Sequence, residues 1–445
     1  MNSYLRVLRN TDFKYLFLGQ SASAVGDQAV IVALALYITQ RTGSATDLGL
    51  VLAAQSLPMV VLLLFGGVWA DRLPRQQIMV VTDLVRAALH TVLAALILTG
   101  GASVAEMVVI EALFGAARAF FQPAYTGLLP QTISEELRQD ARALSETTAN
   151  LAILVGPALG TALVLGVGAG EAFAFDAATF LLSAALLARL RPRARGGRSP
   201  VAQAAVWYEL RAGWREVRSR PWVWATVAAF SVAVLCCYAQ YYALAPIIAR
   251  NTYGGAGVFG VLESIGGAGA VIGALVGIVW RPRRPMVVGT LMVLIWPLCS
   301  IAFALGAPLF IVFGLELATG FGFSLFAVWW ETALAANIPP HALSRVSSYD
   351  WMGSLALLPL GFALAGPLAA TFGARTVLGV GAAVALVALV LALLPRSTRE
   401  LPGEGRRPRS AQQLAGDVGK EGRGEAEVAD VDPLVGVVHK RRGLE

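Results

Sequence analysis

Long apolar stretches recur along the chain, each bounded by a short polar or glycine-rich break. At ~20 residues per bilayer-crossing helix, the pattern predicts twelve spans, at 13–39, 47–70, 77–99, 103–122, 144–167, 171–189, 222–248, 256–280, 286–306, 308–329, 346–370 and 375–394. Two sets of six flank one polar segment, 191–220, which is rich in Arg and carries Trp207, Tyr208, Leu210 and Trp214 in an amphipathic stretch. Such a stretch is expected to lie on the membrane surface. The expected organisation is an all-α membrane protein with an N-terminal six-helix bundle at 1–190, a cytoplasmic linker at 191–220, a C-terminal six-helix bundle at 221–395 and a tail at 396–445. The tail holds 10 basic and 9 acidic residues, much Gly and almost no apolar periodicity, a composition expected to be disordered.

The halves echo each other. Residues 67–71 correspond to 277–281 at an offset of 210, and Arg142-Ala-Leu-Ser to Arg345-Val-Ser-Ser at an offset of 203. With the six-plus-six layout, these pairings suggest a duplicated bundle with a site between the repeats. Basic residues set the orientation. The N-terminal segment and alternate loops hold 20 Lys and Arg, against Arg41, Arg250 and Arg375 in the loops between them, so both termini are expected on the cytoplasmic side.

Composition narrows the class. The chain is 57% apolar and 14% charged, which excludes an ordinary water-soluble fold. The net charge of +7 could suggest a nucleic-acid partner, but 10 of the 35 Lys and Arg lie beyond Leu394 and most others flank spans. That distribution reads as topology, and no nucleic acid is expected. Cys236, Cys237 and Cys299 all fall in apolar runs and imply neither a disulfide nor a metal site. The first apolar run exceeds a signal-peptide core and is expected to stay as the first span. His90, His341 and His439 are widely separated, and no nucleophile motif or phosphate-binding loop accompanies them. Neither an enzyme nor a nucleotide-driven pump is expected, and no cofactor. Three Lys against 32 Arg hint at a GC-rich bacterial source, hence a multi-pass protein of the inner (plasma) membrane. A monomer is expected, with the lipid bilayer and a small amphipathic substrate as its partners.

Between the second and third spans stands Gly66-Gly67-Val68-Trp69-Ala70-Asp71-Arg72-Leu73-Pro74-Arg75-Gln76. Gly67 permits close helix approach, Asp71 is placed to cap the next helix, and Arg72 and Arg75 hold the loop at the cytoplasmic face. This run resembles the signature of the major facilitator superfamily. The resemblance implies two six-helix bundles and a conformational latch formed by Gly67, Asp71, Arg72 and Arg75, with Asp83 and Arg86 expected to join it from the third span. Pro74 stands where a glycine is usual and Gln76 where a basic residue is usual. In the fifth span, Gly156-Pro157-Ala158-Leu159-Gly160 is similar to the Gly-Pro-x-x-Gly element of exporter branches, with Thr161 in place of the usual last glycine. A narrower likeness covers most of residues 9–395 and carries Arg9-Asn10, Ser23-Ala-Val-Gly-Asp27, Asp83-Leu-Val-Arg86, Phe121-Gln-Pro-Ala-Tyr125 and Ala143-Leu144-Ser145. It points to the branch containing macrolide-efflux proteins and the enterobactin exporter, and so to export of a bulky amphipathic molecule.

Charges at bilayer depth are functional candidates by default. Asp27, near the middle of the first span, is the first choice for the group that exchanges protons. Neighbouring hydroxyls such as those of Ser21 and Ser23 offer a purely structural alternative. Glu111 and Arg118 share one face of the fourth span, two turns apart. Arg118 is placed to pair with Asp27 or Glu111, or to meet an anionic substrate group. Glu316 and, after it, Glu263 complete the proton-coupling candidates, while His90 reads as a packed histidine able to relay protons. In the family's fold the first, fourth, seventh and tenth spans line the cavity, so Tyr238, Gln240, Tyr241, Tyr242, Phe323 and Phe326 are the expected substrate surface. The expected function is proton-coupled efflux of an amphipathic small molecule, a drug, macrolide-like natural product or siderophore, by alternating access. Sodium in place of protons remains open, as do import of a small solute and a non-transporting sensor or scaffold.

Overall fold

Hydrocarbon offers the backbone no water, so a spanning segment must satisfy its own N–H and C=O groups, as a helix does. The structure, a computed structural model, describes residues 2–191 and 206–401. The side chains of 2–5, 64–72, 206–210, 212, 340, 341 and 344 lie outside the described set. Helices and connecting turns account for the described residues, with no strand among them.

The first half runs through α1 (Asn2–Arg9), α2 (Thr11–Arg41), α3 (Ala45–Arg72), α4 (Arg75–Thr99), α5 (Val104–Thr132), α6 (Arg138–Gly166) and α7 (Ala169–Ala188). After α8 (Val206–Arg218) come α9 (Pro221–Ala233), α10 (Ala239–Thr252), α11 (Gly257–Val279), α12 (Pro285–Val293), α13 (Ile295–Leu305), α14 (Leu309–Asn337), α15 (Pro340–Leu355), α16 (Leu358–Phe372), α17 (Ala374–Leu391) and the short α18 (Arg396–Arg399). Local sequence sets the ends. Asn10 caps α2 by accepting from the N–H groups of Asp12 and Phe13 at 3.1 and 3.2 Å. Ser103 and Glu106 form a reciprocal capping box at α5, and Gly306, at φ +76°, closes α13 in the left-handed region.

Three predicted spans are interrupted. The break between α12 and α13 precedes Pro297, and that between α15 and α16 precedes Pro359, since a proline cannot donate to the turn before it. The seventh span is α9 and α10 joined through a π turn at Val234–Tyr238. Eleven helical stretches among the described residues are long and apolar enough to cross a membrane. α5 (Val104–Thr132), which contains most of the predicted fourth span 103–122, is not among them and carries Glu106, Glu111 and Arg118. The amphipathic linker helix also departs from expectation. Rather than keeping its whole apolar face for lipid, α8 packs on α15, where Gly213 admits the Tyr349 ring and Trp214 sits 5.8 Å from it.

The two halves repeat one packing scheme. Pairs α3–α5, α4–α7 and α2–α6 recur as α11–α14, α13–α17 and α10–α16. Across the molecule the principal pairs are α3–α16 and α6–α11, which exchange under the same internal twofold. These cross-contacts cluster toward the end opposite the N-terminus, called here the distal end. A Cβ on Gly366 would lie 2.2 Å from the Thr46 Cα, so the backbones of α16 and α3 touch. Arg250 Nη1 donates to the Thr39 carbonyl at 2.6 Å. Toward the other end α5 and α14 keep their principal contacts within their own halves and α15 packs on α8, α9 and α14, which leaves a cleft opening on the N-terminal side.

Candidate functional site

An ion cluster fills the interior of the first half. On α4, Asp83, Arg86 and His90 follow at i, i+3 and i+7 and so share one face, and all three are buried. Arg86 pairs with Asp83 and lies 3.8 Å from Asp27 Oδ2 on α2. Its guanidinium is held between two rings, 4.2 Å from Phe121 and 4.3 Å from Phe180, a stacked cation–π arrangement suited to Arg. Ser183 Oγ on α7 donates to Asp83 Oδ2 at 2.6 Å and accepts from Gln20 Nε2 at 3.0 Å.

One turn further along α4, His90 Nδ1 meets Asp176 Oδ2 at 2.5 Å, and its Nε2 faces Glu111 Oε1 at 3.6 Å. Gln55 Nε2 on α3 donates to Glu111 Oε2 at 2.6 Å. The His90 ring stacks on Phe114 with centroids 4.2 Å apart. Asp83, His90, Glu111 and Asp176 are fully buried, whereas Asp27 keeps 23% of its side chain exposed. Four carboxyl groups thus stand against two basic side chains. Unneutralised charge is costly to bury, so protons as well as side chains must balance such a group.

The Gly-Pro element on α6 abuts this cluster. A Cβ on Gly156 would fall 2.3 Å from the Gln28 Cβ, and one on Gly160 would fall 2.1 Å from the Ala29 carbonyl oxygen. Both glycines let α6 ride directly on α2 beside Asp27. Pro157 is buried, its carbonyl accepting from Thr161 Oγ1 at 2.8 Å. Thr161, where a glycine is usual, contacts Gly260 of α11 and so links the element to the second half.

Several sequence expectations are corrected. Arg118 pairs with neither Asp27 nor Glu111: it has no ion pair among the described residues and comes within electrostatic reach of Tyr238 across the cleft. Asp27 is taken instead by Arg86, and Glu111 by His90 and Gln55. Asp83 and Arg86, expected with the loop latch, turn into the bundle, where Ser183 donates to Asp83 and the Phe121 and Phe180 rings hold the Arg86 guanidinium. Of the latch residues, Gly67, Asp71 and Arg72 lie outside the described residues as regards their side chains. Arg75 donates to the Gly127 carbonyl on α5 at 2.5 Å. Sequence reasoning missed Asp176, Gln55 and Ser183. Asp176 was detectable as a lone carboxylate in an apolar run.

The second half presents a different surface. Tyr238 and Phe323 are 37% and 41% exposed, and Tyr242 is half-buried. Gln240, Tyr241 and Phe326, expected beside them, are buried: Gln240 Nε2 donates to the Gly361 carbonyl at 2.9 Å, Tyr241 packs on Phe259 and Phe303, and Phe326 stacks on Phe230. Tyr242 OH donates to Glu263 Oε2 at 2.5 Å, and the Cys299 thiol to Glu316 Oε2 at 3.3 Å.

Two repeated halves, joined at one end around a cleft and carrying ionisable groups at bilayer depth, define a multi-pass membrane transporter. The family model described as Major Facilitator Superfamily matches residues 16–348, and the chain belongs to that family. It is 28% identical to the multidrug efflux pump Tap of Mycolicibacterium fortuitum over 403 residues, covering 87% of this chain and 96% of the relative. It is 24% identical to macrolide efflux protein A of Streptococcus pyogenes over 267 residues, or 59% and 65% of the two chains. Among solved structures, a bacterial homologue of the human lysosomal transporter Spinster, inward-facing and unoccupied, superimposes with a TM-score of 0.68 at 15% identity, over 87% of this chain and 96% of that one.

Proposed function

We propose that the protein exports an amphipathic small molecule across the bacterial inner membrane, driven by protons that enter and leave at Asp27. The observation that carries this reading is the position of Asp27. It is the member of the ion cluster that remains partly exposed, beside Arg86 and beside the α6–α2 contact made by Gly156 and Gly160. The efflux relatives support the direction of transport. In this reading α5 also crosses the bilayer, as the fourth of twelve spans, with Glu111 held inside the bundle by Gln55 and facing His90. Both termini are then cytoplasmic, as the distribution of basic residues favours, and the cleft opens to the cytoplasm.

Substrate enters from that side while the distal contacts hold. Protonation of Asp27 weakens its pairing with Arg86, and the two states of that pair favour different arrangements of α2 against α6. Coupling requires this difference, because a ligand shifts an equilibrium only by its differential affinity for the two states. The loop residues Asp71, Arg72 and Arg75 are proposed to fasten the cytoplasmic end in the opposite conformation.

Accumulation of a fluorescent amphiphile in expressing cells, with and without a protonophore, tests direction and driving force together. Lowered accumulation that the protonophore restores is expected, and raised accumulation would establish import. The Asp27→Asn variant is expected to reach the membrane and lose gradient-dependent efflux. Efflux at the wild-type level in that variant would remove Asp27 from coupling.

A further inference from the structure

We propose that Glu263 and Glu316 form the recognition site for the positive charge of a lipophilic organic cation, with an aromatic collar holding its apolar body. The inference rests on the reading of this protein as a small-molecule transporter and adds the chemical class of its substrate. Glu316 Oε1 lies against Gly266, one turn along α11 from Glu263, so the two carboxylates are neighbours. Glu263 accepts from Tyr242 and has the Tyr241 hydroxyl beside it, Glu316 accepts from Cys299, and neither forms an ion pair with a basic side chain among the described residues. Two adjacent carboxyl groups at bilayer depth without a basic partner must be neutralised by a proton or by a bound cation, which makes them able to receive one.

Tyr241, 6% exposed, brings its hydroxyl beside Glu263 and within electrostatic reach of Glu316. Thr319, 8% exposed and one turn along α14 from Glu316, adds a hydroxyl beside Cys299. These hydroxyls give the two carboxylates a polar surrounding within an otherwise apolar bundle.

The aromatic groups lie to one side of the acids. Tyr238 precedes Tyr242 by one turn, Trp296 precedes Cys299 by one turn, and Phe323 follows Glu316 by two turns on the same face. On all three helices the aromatic residue is therefore nearer the N-terminal side, where the cleft opens. Tyr238 lies 4.6 Å from Tyr242 and 6.3 Å from Trp296, and Trp296 lies 6.0 Å from Phe323, between ring centroids. A molecule entering the cleft meets rings first and carboxylates behind them. Aromatic faces favour an organic cation, and a thiol on Glu316 is not the oxygen-rich shell that a hard inorganic ion takes. The π turn Val234–Tyr238 ends at the collar, and such turns frequently mark functional positions in helices.

Equilibrium binding of tetraphenylphosphonium to the full-length protein in lipid nanodiscs tests the proposal, with neutral triphenylphosphine oxide as control. Wild type is expected to bind the cation saturably and the neutral probe at least tenfold more weakly. Glu263→Gln and Glu316→Gln are each expected to weaken cation binding tenfold or more, while Glu316→Asp stays within about threefold, which separates charge from folding. Cation binding unchanged in the Gln variants, or equal binding of the neutral probe, would overturn the assignment. So would displacement of the probe by sodium chloride but not by potassium chloride at equal ionic strength, which would make this an inorganic-ion site. The assay applies no gradient, so an error about proton coupling at Asp27 would leave its result unchanged.

Discussion

At the scale of single residues, the first half depends on partners rather than on charges as such. His90 is held by Asp176 and Glu111 with no solvent access. Truncating it to Ala strands two carboxyl groups in the bundle interior, and breaking a buried pair in this way costs about 3–5 kcal/mol. His90→Ala is therefore expected to lower the thermal midpoint of the purified protein sharply, and more than Asp176→Asn, which keeps an acceptor for His90. Equal midpoints for wild type and His90→Ala would show that the contact contributes little. Single residues were also where sequence was least informative. The carboxylates at 27, 111 and 316 stand out against their apolar surroundings, yet nothing in the chain announces that Arg86 rather than Arg118 pairs with Asp27. In a membrane the lipid-facing and the packed sides of a helix are both apolar, so hydropathy does not reveal which face turns inward. That ambiguity also explains why Gln240, Tyr241 and Phe326 were expected at the cleft and are found in packing contacts.

At the scale of elements, the chain is far more readable. Helix ends follow caps that can be read directly, such as Asn10 and Ser103, and the breaks within the ninth and eleventh spans follow Pro297 and Pro359. The Gly-Pro element was legible as a packing motif, while its seat on α2 beside Asp27 required the tertiary structure. Gly160→Ala places a methyl group 2.1 Å from the Ala29 carbonyl oxygen, so α6 must move away from α2. Overpacking of this kind costs typically 1–3 kcal/mol. The variant is expected to melt earlier and to lose gradient-driven efflux. Retention of both properties would mean that the contact can relax without consequence.

At the scale of the whole molecule, the halves share a packing plan but not a chemistry. The first encloses its charges among Phe114, Phe121 and Phe180, and the second turns carboxylates and rings toward the cleft. The duplication was visible in the six-plus-six spacing, whereas this division of chemistry was not, because it depends on which faces meet. Alternating access requires the distal contacts to part. Gly366→Ala, whose methyl group would fall 2.2 Å from the Thr46 Cα, is expected to push α16 off α3 and lower the thermal midpoint. An unchanged midpoint would show that this contact can relax without consequence. The surplus residue of the π turn at Val234–Tyr238 bears on both ends of the seventh span. Deleting one amino acid from it would let α9 and α10 fuse into a single regular helix, rotating everything beyond by about 100°. Tyr242 would swing off Glu263 and Arg250 off Thr39, so one residue of chain length keeps the acid pocket and the distal clasp in register together.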